Sequence, residues 1–288
     1  MTTAGRHGRL AGVAPVAMPP AVALLLLAGL PPPPASADVP PAAPQDIKQM
    51  ISDAQKAQAA DVAAWRRFRF RRQALRQDLD AHGAVEKSED LEFRVTPRDD
   101  RFDEILQRAD GREARPREVA RQQHLARFSK HYLTLIAGNG GGDDEESGYS
   151  LGHLLKLATY RYVGEETIDG VACHRLDFSP DESKREEGLA GRFAEAMSGS
   201  IWITVDGLHM RRARARTVRP ISIAFSLSKV HELEVSLDSD SVGEGIWLPR
   251  RIEVVARARV LTNAIRRRNV YTYSEFEPVT PEAAPPRL

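Results

Sequence analysis

Two Asp-Gly dipeptides, Asp169-Gly170 and Asp206-Gly207, each lie between β-rich runs, and this spacing constrains the chain more than any other feature. Such a pair tolerates the positive φ angles that a two-residue hairpin turn imposes. The first joins the two halves of YRYVGEETIDGVACHRLDFSP. The second joins the run from Ile201 through Trp202, Ile203 and Thr204 to Val205 with a long run over residues 208–218. Three more β-like runs follow at 221–230, 252–260 and 265–276, and SLDSDSVGEGIWLPR reads as the connection between the first two. About seven strands thus fill residues 160–276, with no helix between them long enough for a parallel crossover. The sheet is expected to be antiparallel.

Upstream the pattern alternates between helix and strand. Ile47, Met50, Ile51, Ala54, Val62 and Trp65 fall at helical spacing, predicting an amphipathic helix of about five turns that begins at Asp46. From Arg66 the period becomes two. Phe68 and Phe70 alternate with arginines, and after an Ala81-His82-Gly83 turn Leu91, Phe93 and Val95 alternate with Glu92 and Arg94. Residues 102–107 form a third strand, ended by Ala109-Asp110-Gly111. Pro116 opens a second helix with the stripe Leu125, Phe128, Tyr132, Leu135 and Ile136. A third, short helix carries Leu151, Leu154, Leu155 and Ala158, and the acidic, glycine-rich GNGGGDDEESG between these two reads as a flexible loop. The whole predicts a mainly β fold with some α: a single curved antiparallel sheet of about ten strands with helices on one side.

The pieces EETIDG, LDFSP, GSIWITVDGLHMRR, GIWLPRRIEV and YTYSEFEP, in that order from residue 165 to 278, resemble the outer-membrane lipoprotein-sorting (LolA-like) proteins of the bacterial envelope. The resemblance implies an open half-barrel whose concave apolar face, covered by helices, holds a lipid or acyl chains. None of these pieces is a catalytic signature.

Residues 1–37 read as an export signal. Arg6 and Arg9 precede a ten-residue apolar core at 21–30, and Ala35-Ser36-Ala37 supplies a cleavage site. The apolar segment is half the length of a membrane-spanning helix and is bracketed by prolines. Residues 38–44 are a Pro/Ala linker, 45–279 a single domain and 280–288 a Pro-rich tail. A periplasmic or otherwise exported protein, soluble after cleavage, is expected. Loss of the leader's two arginines takes the formal charge from +1 to −1, which gives no reason to expect nucleic acid. A monomer is expected, with no cofactor.

Several motifs have the residue types that chemistry would need. Gly148-Tyr149-Ser150-Leu151-Gly152 satisfies G-x-S-x-G, but a nucleophile elbow needs a strand before it, and here a glycine-rich loop precedes. Ser150 therefore reads as a helix cap, with a serine hydrolase as the remote alternative. His124 and His131 lie two helical turns apart, too far to share one metal without a third ligand. In DSDSVGEG, Val242 occupies the third ligand position of a calcium loop, so a turn is the better reading. Cys173, the only cysteine, reads as a buried small hydrophobe. The arginines are concentrated in strands: Arg66, Arg67, Arg69, Arg71 and Arg72 in one, and Arg211, Arg212, Arg214 and Arg216 in another. They read as a solvated face balanced by glutamates on neighbouring strands, with an anionic lipid or membrane surface as the alternative. Simple alternation past Asp206-Gly207 would place Arg212, Arg214 and Arg216 on the apolar face, so a β-bulge after Met210 is expected.

The expected function is non-enzymatic: a carrier or binding protein that takes lipid or lipoprotein acyl chains into a concave apolar cavity. The candidate ligand-binding residues are Phe68, Phe70, Leu91, Phe93, Leu176, Phe178, Ile201 and Ile203. Burial of the chain would supply about 0.8 kcal/mol per CH₂. The alternative is an envelope sensor or protein-binding module of the same fold whose cavity is filled by its own side chains. Alternation reports that a face avoids water, and leaves open whether that face is a cavity wall or a closed core.

Overall fold

The computed structural model describes residues 46–98, 101–128, 157–184, 188–223, 228–260 and 263–279. The expected leader, the loop before Ser150, Ser150 itself and the C-terminal tail lie outside them. Helix α1 (Ile47–Trp65) starts where Asp46 accepts a hydrogen bond from the Gln49 N–H at 2.9 Å, an N-cap of the usual kind. Strands β1 (Phe68–Leu79) and β2 (Val85–Arg98) form the expected hairpin, and Asp80 stitches its turn by accepting from the His82 and Ala84 N–H groups. Strands β3 (Arg101–Ala109) and β4 (Arg112–Glu113) lead to α2 (Pro116–Phe128). Pro116 opens α2, and Glu118 accepts from the Arg115 N–H while gripping the Arg112 guanidinium with both oxygens.

Strands β5 (Ala158–Ile168) and β6 (Val171–Pro180) meet at Asp169 and Gly170, whose φ angles of 50° and 83° are those of the predicted two-residue turn. A short helix, α3 (Gly188–Ala194), precedes β7 (Met197–Thr204) and β8 (Met210–Thr217). Their connection is wider than the two-residue turn expected at Asp206-Gly207, with the Thr204 N–H bonded to the His209 carbonyl at 2.9 Å. The reason is Thr204, whose hydroxyl donates to the Asp206 carbonyl and accepts from the His209 N–H, a stitch that spans the extra residues. The expected bulge is present. Ile203 faces Met210 but Trp202 faces Arg212, so Arg211 is the additional residue and Ala213, not Arg212, lies opposite Ile201.

Strand β9 (Ile221–Ile223) pairs with the start of β10 (Ser228–Gly243), which runs into β11 (Ile246–Val260) and β12 (Asn263–Pro278). Here the sequence reading of residues 236–250 as a connection is corrected. Both arms are strand, and the turn is only Glu244 and Gly245. Asp238 and Asp240 look like loop residues, but Asp238 sits opposite Arg212 of β8 and Arg251 of β11, Asp240 pairs with Arg211 and Arg250, and these arginines hold both in the sheet.

The order β4-β3-β2-β1-β12-β11-β10-β8-β7-β6-β5, with β9 beside β10, makes one twelve-stranded antiparallel sheet, open at β4 and β5. The two extra strands over the expected ten are β4 and β9. Eleven strands laid flat would span about 50 Å at the usual strand spacing. The sheet is instead curved into an open half-barrel, and side chains from α1 and from strands at both ends, Leu106 of β3 and Ala158 of β5 among them, join one hydrophobic cluster on its concave side. One row crosses ten strands in register, buried at every position but the half-buried Tyr162 at its end: Tyr162, Leu176, Ile201, Ala213, Leu237, Ile252, Tyr271, Ala74, Leu91 and Ala109. Helix α1 lays Met50, Ala54 and Trp65 on this concave side, and Val119 of α2 packs against the same cluster.

Candidate functional site

All eight candidate residues point to the concave face and all are buried. They divide into two groups on either side of the sheet's middle. Phe68, Phe70, Leu91 and Phe93 lie on β1 and β2, where Trp65 closes over Phe70, Phe102 and Tyr273 with ring centroids 5.5–6.1 Å apart. Leu176, Phe178, Ile201 and Ile203 lie on β6 and β7. The tight aromatic packing of the first group is that of a filled core.

Sequence reasoning missed a cation inside this core. Arg72 shares the inward face of β1 with Phe70 and Ala74 and is 8% exposed. Its guanidinium lies 4.5 Å from the Phe93 ring centroid and 5.8 Å from that of Tyr271, and it pairs with Glu104 of β3. The reading of Arg72 as part of the solvated face is thus corrected, because period-two alternation from Phe68 and Phe70 carries residue 72 to the inward side.

A second missed feature fixes α1 to the strands. Asp61, buried on the helix, accepts from the Trp247 N–H at 3.0 Å and pairs with His209 Nδ1 at 2.7 Å. The imidazole is stacked on Trp247. Burial pushes the Asp61 carboxyl above the ordinary aspartate range, against the opposing pull of these two partners. Three elements meet at this carboxylate: α1, the β7–β8 turn and the head of the β10–β11 hairpin. Arg211, the bulge residue, is buried with its guanidinium 6.0 Å from the Trp247 ring centroid and pairs with Asp169 and Asp240.

Next to the buried row runs a second one, two residues further along each strand. It consists of Tyr160, Phe178, Gly199, Ala215, Val235 and Val254, and it continues into Asn269, Arg76 and Glu89. Apart from Phe178 and Asn269, its members are only half-buried. It is apolar from β5 to β11 and polar from β12 to β2.

Other arginines lie on the outer face. Arg212 and Arg214 both grip Asp238, Arg251 and Arg268 grip Glu253, and Arg175 bonds Glu166 while its guanidinium lies over Trp202. Burial raises the Asp238 carboxyl, but the two arginines outweigh it and hold it below the ordinary value, and the Arg268 hydrogen bond does the same for Glu253. Two open grooves, of about 460 and 510 Å³, lie among such charged side chains, and of the eight candidates only Phe93 borders either. Cys173 is buried and reduced, and burial pushes its thiol up.

An open antiparallel half-barrel with an apolar concave face, against which α1 and α2 pack, defines the class, and it is the architecture that the resemblance to LolA-like proteins implies. Among solved structures the chain is similar to a DUF1329 family protein from Desulfovibrio piger, at 12% identity over 81% of this chain and 95% of that one, with a TM-score of 0.33. It is also similar to a LolA superfamily protein from Nitrosomonas europaea, at 11% identity over 78% of this chain and 94% of that one, TM-score 0.33. A third is an outer membrane lipoprotein-sorting protein domain from Vibrio parahaemolyticus, at 9% identity over 81% and 94%, TM-score 0.31. No protein-family model and no curated protein matches the chain. At these identities the likeness concerns the fold alone.

Proposed function

We propose that the protein is an exported, non-enzymatic binding protein for acyl chains, which lie along the concave face. The observation that carries this reading is the half-buried apolar row from Tyr160 to Val254, continuous with the buried core yet left partly open. Six strands at the usual spacing give it a length of about 24 Å, suited to a long acyl chain. Leu176 and Ile201 of the adjacent buried row form its floor, and Phe178 lies within it. The driving force is removal of apolar surface from water, about 25 cal/mol per Å². Export rests on the leader read in the sequence; no helix among the described residues is long and apolar enough to cross a membrane.

The burial of all eight candidate residues favours a second reading, an envelope protein-binding module whose core is already filled. Native mass spectrometry of protein purified from its own envelope separates the two. A co-purifying lipid that is lost in Val235→Asp supports the carrier. Protein free of lipid and bound to a second polypeptide supports the module.

A further inference from the structure

The half-buried row does not stay apolar, and its polar end has groups to spare. At β12 the row reaches Asn269, whose neighbour on β11 is Val254 and whose neighbour on β1 is Arg76. Asn269 is 8% exposed, and its side chain makes no hydrogen bond among the described residues. Arg76 makes none either. Its one ionic contact is Glu89, at 3.6 Å, beyond good hydrogen-bond distance. Glu89 is engaged elsewhere: its other oxygen takes the Arg121 guanidinium of α2. Two cations therefore share one carboxylate, and Arg76 keeps its fork of donors available at the mouth of an apolar row. No polar atom of Asn269 is among the buried orphaned atoms, so its amide, free of protein partners, stays open to the row and can both donate and accept there.

We propose that Arg76 and Asn269 form a head-group site, and that the acyl ligand carries an anionic oxygen group, a carboxylate or a phosphate, at that end. The inference rests on the acyl-binding reading above and adds polarity and direction to it. The tail runs from Val254 toward Tyr160. The head lies between β12 and β1, where the guanidinium supplies paired N–H donors and the Asn269 amide supplies another. A neutral ester in the same place would leave the local excess of positive charge unmatched.

The test is displacement of a neutral environment-sensitive dye, N-phenylnaphthylamine, by three ligands with the same tail: palmitate, palmitoyl-glycerol phosphate and methyl palmitate. The wild-type protein should bind at least one of the two anions about tenfold or more tightly than the ester, the size expected of one hydrogen bond to a charged group. Comparing the two anions tells carboxylate from phosphate. Arg76→Gln should remove the preference while leaving methyl palmitate within about threefold, and Arg76→Lys, which keeps the charge but not the fork, should fall between. Arg69→Gln, on the outer face, removes the same charge and should leave the preference intact. Ester binding without any preference for an anion, or a preference that survives Arg76→Gln, overturns the head-group site and leaves the acyl row standing. Saturable binding of none of the three ligands overturns both.

Discussion

Replacing Asp61 by alanine should unlock α1 from the strands, and the structure sets the size of the effect. Asp61 makes two hydrogen bonds, to His209 Nδ1 at 2.7 Å and to the Trp247 N–H at 3.0 Å. Hydrogen bonds to a charged group are worth about 1.5–3 kcal/mol each. Against this, alanine avoids the cost of burying the carboxylate, several kcal/mol per ion, so roughly half of the loss is recovered. A net destabilisation of about 1.5–3 kcal/mol follows, or about 3–12 °C in Tm for a domain of this size. Thermal and urea melts followed by circular dichroism measure it. Asp53→Ala on the same helix, which removes an exposed pair with Lys56, is the control and should leave Tm unchanged. The pH dependence supplies an independent check. Because burial raises the folded-state pKa of Asp61, its contribution is fully present below the unfolded value of 3.8 and is lost as pH rises through the folded value. The advantage of wild type over Asp61→Asn should therefore narrow as pH rises from about 3.8. A Tm change under about 2 °C for Asp61→Ala, or an advantage that widens with pH, would refute the reasoning.

Phe93→Ala should cost about 3–5 kcal/mol by urea melts, since the ring is buried under Arg72. Val254→Ala, in the half-buried row, should cost clearly less, and equal costs along both rows would argue that the concave face is closed. Asp238 and Glu253 are held below their ordinary values by arginines, so their contribution is present above about pH 4.5 and is lost as pH falls through the lowered values. Urea midpoints from pH 7 to 3 should show an acid limb that shrinks in Asp238→Asn. Gly199→Ala should destabilise by at least about 1–3 kcal/mol, because a Cβ there would stand 1.9 Å from the Arg214 carbonyl oxygen, a backbone atom that cannot move aside cheaply. A neutral result would mean that β7 and β8 are less closely apposed than described.

Much of this architecture was legible in the residues. Asp169-Gly170 specified its hairpin because few dipeptides accept two positive φ angles in succession. Asp46 and Pro116 marked their helix starts, since capping and ring geometry act locally. The inward faces of β1, β2, β6 and β7 followed from period-two alternation, and the bulge at Arg211 was forced by the conflict between Ile201 and Arg212. What alternation could not report was the partner across each strand. The pairing of β1 with β12 joins residues some 200 positions apart and creates the Arg76–Asn269 adjacency. The arginines that pair with Asp238 and Asp240 hold a loop-like segment in the sheet as strand. Nothing near Asp61 in the sequence signals its burial, which comes from His209 and Trp247, 148 and 186 positions away. Propensity, turn chemistry and capping depend on neighbours in sequence and were determined there. Burial of a charge, and the sharing of one carboxylate by two cations, depend on neighbours in space, which only the curled sheet decided.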